Sequence, residues 1–497
     1  MAMTETRDAL VETSAGKVEG VAHGGGWAFW GIPYAEQVGG AARWRAPVKR
    51  NAWSGVFKAD KIGLACPQTA HFIEGFSASG PQSEDCLNLN VFTPAADGQK
   101  RPVLFWIHGG AYTHGAGYEP LYDGAPLSQR GDVVVVTINY RLGALGFLNL
   151  AQIAPGAGYA ANCGLLDQIE ALKWVAENIA AFGGDPKNVT IFGESAGSGS
   201  VHALVASPLT RGLIKRAILE SGIARGQSVE ASTEAAKRFM AQAGVKDVAA
   251  LTALDAKEIL EAQTQAGVGG PGIDPHSLPQ DALEWVREGK SKDIALLIGT
   301  NRDEVKLFVA NRREEIDEAQ LETSLAPSLP RASAAQLHDL VTLYRASRKS
   351  KGLPTSNLDL QDAINSDQRF RIGALKLAVA QAPHNKQTYL YLFTHVSPAR
   401  RGALGACHAL EMPFVFGTVK HKSQVRFAGE GPDVDALSAN MMDAWLAFAK
   451  SGDPSHKGIG DWPAYDAKPR ATMIFDTPTR VENDPFGEER EAIEALI

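Results

Sequence analysis

Residues 188–197 read Asn188-Val189-Thr190-Ile191-Phe192-Gly193-Glu194-Ser195-Ala196-Gly197. An apolar, partly β-branched run of strand length meets a Gly-x-Ser-x-Gly pattern, and a helix is expected to follow Ser195. A strand that turns into a helix within so few residues lifts the serine hydroxyl above the end of a sheet. The small residues on either side let neighbouring backbone come close. Five-residue Gly/Ser patterns also arise by chance in ordinary loops, so the reading depends on its surroundings.

Those surroundings alternate between strand and helix. Upstream, apolar residues fall at Leu165, Ile169, Leu172, Ala176 and Ile179, a helical spacing that Gly183-Gly184-Asp185-Pro186 ends. Further back, Val103-Leu104-Phe105-Trp106-Ile107 and Val133 to Ile138 are continuous apolar runs, suited to strands buried on both faces. Downstream, Arg216 to Leu219, Ile294 to Ile298, Thr388 to Phe393 and Thr472 to Phe475 have strand character. The pattern implies an α/β fold, a mostly parallel central sheet with helices on both faces. Residues 226–290, helical and then Gly/Pro-rich, and residues 310–385, charged and helical, break the rhythm. They are expected to be insertions packed over the sheet's C-terminal edge, within a single domain covering 1–497.

Composition narrows the function. The chain has 497 residues, 44% of them apolar and 21% charged, as in an ordinary globular enzyme. Its net charge of -7 argues against a general nucleic-acid binder, which needs a cationic surface. No apolar run approaches the roughly 18 residues of a membrane span, and Met1-Ala2-Met3-Thr4-Glu5 opens without an apolar segment, so a cytoplasmic chain is expected. The four cysteines, Cys66, Cys86, Cys163 and Cys407, form no C-x-x-C pair, and His108 and His114 match no zinc spacing. Neither a metal nor a cofactor is expected.

A serine hydroxyl is a weak nucleophile until a base takes its proton, and the tetrahedral oxyanion that follows must be stabilised. The segment His108-Gly109-Gly110-Ala111 follows the strand ending at Ile107 and offers backbone N–H groups for that second task. For the base, the residues alone leave several choices. His338, His384, His395, His408, His421 and His456 all lie in the C-terminal third. His395 directly follows a strand, and His408 lies in a loop of small residues.

Longer motifs resolve the choice by resemblance. The stretches Gly31-Ile32-Pro33-Tyr34-Ala35, Ser83-Glu84-Asp85-Cys86-Leu87-Asn88-Leu89-Asn90-Val91 and Trp106-Ile107-His108-Gly109-Gly110-Ala111 occur in that order. Asn139-Tyr140-Arg141-Leu142-Gly143, Gly164-Leu165-Leu166-Asp167-Gln168, the Ser195 segment and Pro413-Phe414-Val415-Phe416-Gly417 follow. From about residue 10 to about 478 the chain resembles the type-B carboxylesterases, α/β-hydrolases related to cholinesterases and bacterial para-nitrobenzyl esterases. The resemblance implies an α/β-hydrolase fold and a serine ester hydrolase without cofactor, acting on a small-molecule ester and water. It places the triad at Ser195, Glu304 and His408, with Asp303 the reserve for the acid. It places the oxyanion donors at Gly110, Ala111 and Ala196. Glu194, Ser221 and Glu411 become a buried polar cluster near the base. Arg43 with Glu84 and Arg141 with Asp167 become structural ion pairs. Cys66 and Cys86 hold positions that pair in secreted relatives, and free thiols are expected in a cytoplasmic chain. Val305 and Ala409 stand where relatives commonly carry Gly. The same triad serves carbamates or activated amides, and some cholinesterase relatives are non-catalytic binding proteins. Between Cys66 and Cys86 the aromatic residues near the expected pocket are Phe72 and Phe76, with no Trp, which favours neutral aryl or alkyl esters over a quaternary cation.

Overall fold

The computed structural model describes residues 9–71, 76–309 and 314–497, and the chain divides into two compact units. The first runs to Leu219 and takes in Ile223–Ala295 and Trp445–Gly452; the second takes Glu220–Gly222, Leu296–Ala444 and Asp453–Ile497. Of the aromatic pair expected near the pocket, Phe72 lies outside the described residues, as do residues 310–313 at the start of the expected second insertion.

The strands of the first unit are β1 (Leu10–Thr13), β2 (Gly16–Glu19), β3 (Val21–His23), β4 (Gly26–Pro33), β5 (Val56–Lys58), β6 (Asn88–Thr93), β7 (Arg101–Ile107), β8 (Val134–Ile138), β9 (Gly184–Glu194) and β10 (Arg216–Glu220). Strands β1, β2 and β5 make a small separate sheet; the others lie in the order β10-β9-β7-β8-β6-β4-β3. Its centre is parallel, β8 and β9 both running alongside β7, and its outer pairs β8-β6, β6-β4 and β4-β3 are antiparallel. The reason is legible in β8: Val134-Val135-Val136-Thr137-Ile138 is buried at every position, as a parallel strand covered on both faces requires. Helix Cys163–Asn178, continued by the turn Ile179–Phe182, carries the chain from β8 to β9. Gly183 follows in the left-handed region at φ 83°, where a side chain would be strained.

The second unit holds β11 (Ala295–Asn301), β12 (Thr388–Phe393), β13 (Ala471–Phe475) and β14 (Arg480–Asn483), in that spatial order. The first three are parallel and β14 closes them antiparallel. Helices Glu318–Leu325, Ala334–Ser350, Asn357–Ser366 and Ile372–Gln381 fill the stretch between β11 and β12. Helix Ala334–Ser350 begins at a reciprocal cap, the Ser333 hydroxyl accepting from Gln336 N while the Gln336 side chain accepts from Ser333 N. In the first unit, residues 226–290 carry helices Val229–Gln242, Val248–Ala253, Ala256–Ala266 and Ala282–Arg287. Every strand expected from the sequence is present; Thr388–Phe393 keeps its expected ends and the others are shifted at one end or both. The strand before Ser195, for instance, starts at Gly184, four residues earlier than its apolar run. Among the described residues no helix is long and apolar enough to cross a membrane.

Candidate active site

In the first unit, β9 passes through Ser195 into helix Ala196–Val205. Ser195 has φ 58° and ψ −121°, a conformation that a non-glycine residue holds only where its surroundings enforce it. From Ile191 to Ser200 it is the one residue that is not buried. The glycines beside it are sterically required: a Cβ on Gly193 would stand 2.6 Å from the Gly197 carbonyl carbon, and one on Gly197 would run into Ile107 O. The turn is therefore pressed against the end of β7, where His108-Gly109-Gly110-Ala111 begins. A Cβ on Gly109 would lie 2.6 Å from Glu194 O, 3.0 Å from Glu194 Oε2 and 3.1 Å from Ser195 Cβ.

The segment after β7 turns through Gly110 (φ 109°), Ala111 (φ 54°) and Tyr112 (φ 62°), and Gly110 O accepts from Thr113 N and His114 N at 3.0 and 2.9 Å. Ala196 opens its helix, so its N–H has no acceptor within that helix. Ser195, Gly110, Ala111, Ala196 and Glu194 thus gather where β7 and β9 end. His108 supports this corner from below. Its Nδ1 bonds Gly109 O at 2.8 Å, its ring stacks on Tyr140 at 4.7 Å, and its backbone carbonyl accepts from the Tyr140 hydroxyl at 2.9 Å. Burial pushes its imidazole down to about 4, so it is neutral at ordinary pH.

In the second unit, β11 ends in Thr300-Asn301-Arg302-Asp303-Glu304. Glu304 and His408 are almost wholly buried, and His408 Nδ1 lies 2.6 Å from Glu304 Oε2. The carboxylate accepts, so Nδ1 carries the proton and Nε2 is left as the basic nitrogen. Glu304 Oε1 accepts from Asn301 N at 2.8 Å. The loop bearing His408 is laced to the loop bearing Glu304: Asn301 Nδ2 donates to Cys407 O at 2.8 Å and His408 N donates to Glu304 O at 3.2 Å. Ser221 and Glu411 are here too. The Ser221 hydroxyl bonds Glu411 Oε1 at 3.5 Å, Glu411 Oε2 bonds Asn301 Nδ2, and Ser221 N donates to Gly299 O at 2.9 Å. Asp303, the reserve for the acid, turns away to Ala406 N and two arginines. His395 bonds Ala428 O at 3.1 Å, a satisfied structural position.

Sequence reasoning passed over the walls beside His408. Phe370 and Phe308 pack on its ring with centroids 4.8 and 5.0 Å away, their own planes nearly parallel at 8°. Phe370 lies in a π-helical turn, Asp367–Arg371, between helices Asn357–Ser366 and Ile372–Gln381. No periodicity in the sequence marks such a turn. Asn301 closes β11, three residues beyond the run read as strand from the sequence.

The expected ion pairs are present: Arg43 Nε–Glu84 Oε2 at 2.7 Å, and Arg141 on both oxygens of Asp167 at 2.6 and 2.8 Å. Cys66 and Cys86 are buried and unbridged. The hydrogen bond to Cys66 and burial both push the Cys86 thiol well up, so it stays protonated. Among the described residues, Glu318, Glu322 and His338 bring potential metal-ligand atoms within 4.8 Å of one another. Arg345 already bonds Glu318 Oε2 at 2.8 Å, and His338 bonds Glu322 Oε1 at 2.8 Å.

Comparison with known proteins finds relatives along nearly the whole chain. The model of the carboxylesterase family matches residues 7–492. The para-nitrobenzyl esterase of Bacillus subtilis (strain 168) is 38% identical, over 97% of this chain and 98% of its own. The phenmedipham hydrolase of Pseudarthrobacter oxydans is 35% identical, over 96% and 97%. A solved thermophilic para-nitrobenzyl esterase superposes with a TM-score of 0.87 at 37% identity, covering 98% of this chain and all of that one. The chain belongs to the carboxylesterase family, and is a serine carboxylic-ester hydrolase of the α/β-hydrolase fold.

Proposed function

We propose that hydrolysis runs on Ser195, His408 and Glu304 through an acyl-enzyme. The observation that carries this reading is the 2.6 Å bond between His408 Nδ1 and Glu304 Oε2, which leaves Nε2 as the base. Ser195 attacks the ester carbonyl as His408 Nε2 takes its proton. The Glu304 carboxylate fixes the tautomer and stabilises the imidazolium that forms. The N–H groups of Gly110, Ala111 and Ala196 hold the oxyanion. His408 then protonates the departing alcohol, and in the second half-reaction takes a proton from water, which attacks the acyl carbon and releases the acid. Glu194, Ser221 and Glu411 tune the surroundings of the base. Residues 226–290 and 310–385 supply pocket walls to one catalytic domain spanning 1–497.

The substrates are neutral aryl and alkyl esters, in keeping with the half-buried Phe308 and Phe370 beside His408. A second reading, hydrolysis of carbamates or activated amides on the same triad, is favoured by the relative named for phenmedipham. One experiment tests both. Rates of the wild type and of Ser195→Ala are measured on para-nitrophenyl esters, phenmedipham, an aryl carbamate and an anilide. The variant should lose on the order of 10⁴-fold or more on every substrate the wild type turns over. A folded variant keeping a tenth of the activity would remove Ser195 from the mechanism.

A further inference from the structure

Asp303 stands beside the acid of the triad, and its hydrogen bonds run to Ala406 and to two arginines. Its backbone N–H donates to Ala406 O at 2.9 Å, and its Oδ2 accepts from Ala406 N at 3.0 Å. The residue thus grips both sides of one peptide position, two residues before His408. Oδ2 also accepts from Arg302 Nε and Nη2 at 3.0 and 2.8 Å, and Oδ1 faces Arg348 Nη2 at 3.4 Å. Asp303 and Arg348 are 3% and 2% exposed, so this charge pair is shielded from solvent. Burial alone would raise the Asp303 carboxyl. The guanidinium of Arg302, with Arg348 behind it, more than offsets that and holds it below the usual carboxylate range. The carboxylate is therefore charged throughout the working range. The loop it grips is shaped to meet it: Gly405 has φ 58°, and a Cβ there would collide with the Asp303 carboxylate.

We propose that Asp303 is a positioning residue for the general base, a buried carboxylate locked between Arg302 and Arg348 that clamps Ala406 and so fixes where His408 stands against Glu304. The physical need is clear. The two loops follow different strands, β11 and β12, and a misplacement of about 1 Å can cost on the order of 100-fold in rate. Exchange of Asp303 for Asn keeps the shape and an acceptor for Ala406 N. It removes the charge that two guanidinium groups share and sets an amide donor against one of them.

The inference rests on His408 and Glu304 being base and acid, so the test carries a control for that. Three proteins, wild type, His408→Asn and Asp303→Asn, are assayed on a para-nitrophenyl ester across pH 5–9, with active sites counted by organophosphonate titration. In Asp303→Asn, kcat per titrated site should fall about 10- to 100-fold with KM within about threefold. The acid limb of kcat/KM should move to lower pH, because a looser Glu304 contact supports the imidazolium less. A normal kcat per site with an unmoved limb overturns the inference, even if the yield of folded protein drops. Retained activity in His408→Asn would instead sink the triad reading and the inference with it. If Asp303→Asn does not fold, Arg348→Lys is read the same way: lowered kcat per site with a moved limb supports the clamp, and an unchanged pair overturns it.

Discussion

The corner that holds Ser195 and the corner that holds Glu304 and His408 are built by different forces. Around Ser195 the fixing is steric. Gly193, Gly197 and Gly109 allow backbone segments to touch where any Cβ would collide with main-chain atoms, and Ser195 is held in a strained conformation as a result. Around His408 the fixing is polar. Asn301, Asp303 and Glu304 reach across to Ala406, Cys407 and His408 through hydrogen bonds, and the buried Arg348 with the partly buried Arg302 balances the charge of Asp303. A steric corner tolerates almost no change of residue type at its glycines. A polar corner should tolerate more changes of outline, provided its hydrogen bonds survive.

Substitutions can break this contrast, and the largest effect should fall on the polar corner. Glu304→Gln keeps the outline and an acceptor for Asn301 N but removes the charge facing His408. We expect kcat to fall about 10³- to 10⁴-fold with little loss of stability, by analogy with amide replacement of a triad carboxylate; steady-state kinetics and thermal unfolding check both halves. Next comes the steric corner. Gly197→Ala, a change of one methyl, should cost about 3 kcal/mol in denaturant unfolding, because the obstacle is the Ile107 carbonyl and backbone cannot give way cheaply. If Glu304→Gln unfolded the protein, or Gly197→Ala left it as stable as the wild type, the two corners would not differ in the way described.

Further effects are on stability against pH, and there buried groups of the two units should act in opposite directions. In the first, burial pushes His108 and His202 down to about 4. The unfolded chain takes up protons near 6.5 that the folded chain refuses, so stability falls as pH drops from about 6.5 to 4, by up to about 3 kcal/mol per histidine. In the second, burial, with Asp367 nearby, pushes Glu489 up to about 7. The folded chain holds that proton after the unfolded chain has released it. Stability therefore falls as pH rises from about 4.5 to 7, again by at most about 3 kcal/mol. Glu489→Gln should raise stability at pH 8 by about 1–3 kcal/mol and change it little at pH 4.5. Urea melts at the two pH values measure the difference, and an equal shift at both would refute the assignment.

The contrast also explains how much could be read beforehand. A steric corner writes itself into adjacent residues, so Gly193 to Gly197 and His108 to Ala111 stood out as short patterns, and β7, β8 and β9 as apolar runs leading to them. A polar corner is assembled from residues 103 to 106 positions apart. Composition and spacing left six histidines open, and only resemblance singled out His408. Asn301, and Asp303 as a clamp rather than an acid, stayed invisible because a hydrogen bond across the chain leaves no local period. Phe370 was missed for a related reason: its placement depends on a helical irregularity, not on an apolar stripe.

That irregularity has an evolutionary consequence. A π turn corresponds to one residue more than a regular α-helix needs, and each helical residue advances the chain by about 100°. The helical faces before and after Asp367–Arg371 are therefore out of phase, and Phe370 meets His408 on the shifted register. Substitution can change the size of the ring at that wall but not its bearing. Loss of a single residue from the turn would rotate the wall as a block while leaving the flanking helices intact. In this chain, the surroundings of His408 could thus be redrawn by deletion of one residue, a change of bearing that no single substitution in the turn supplies.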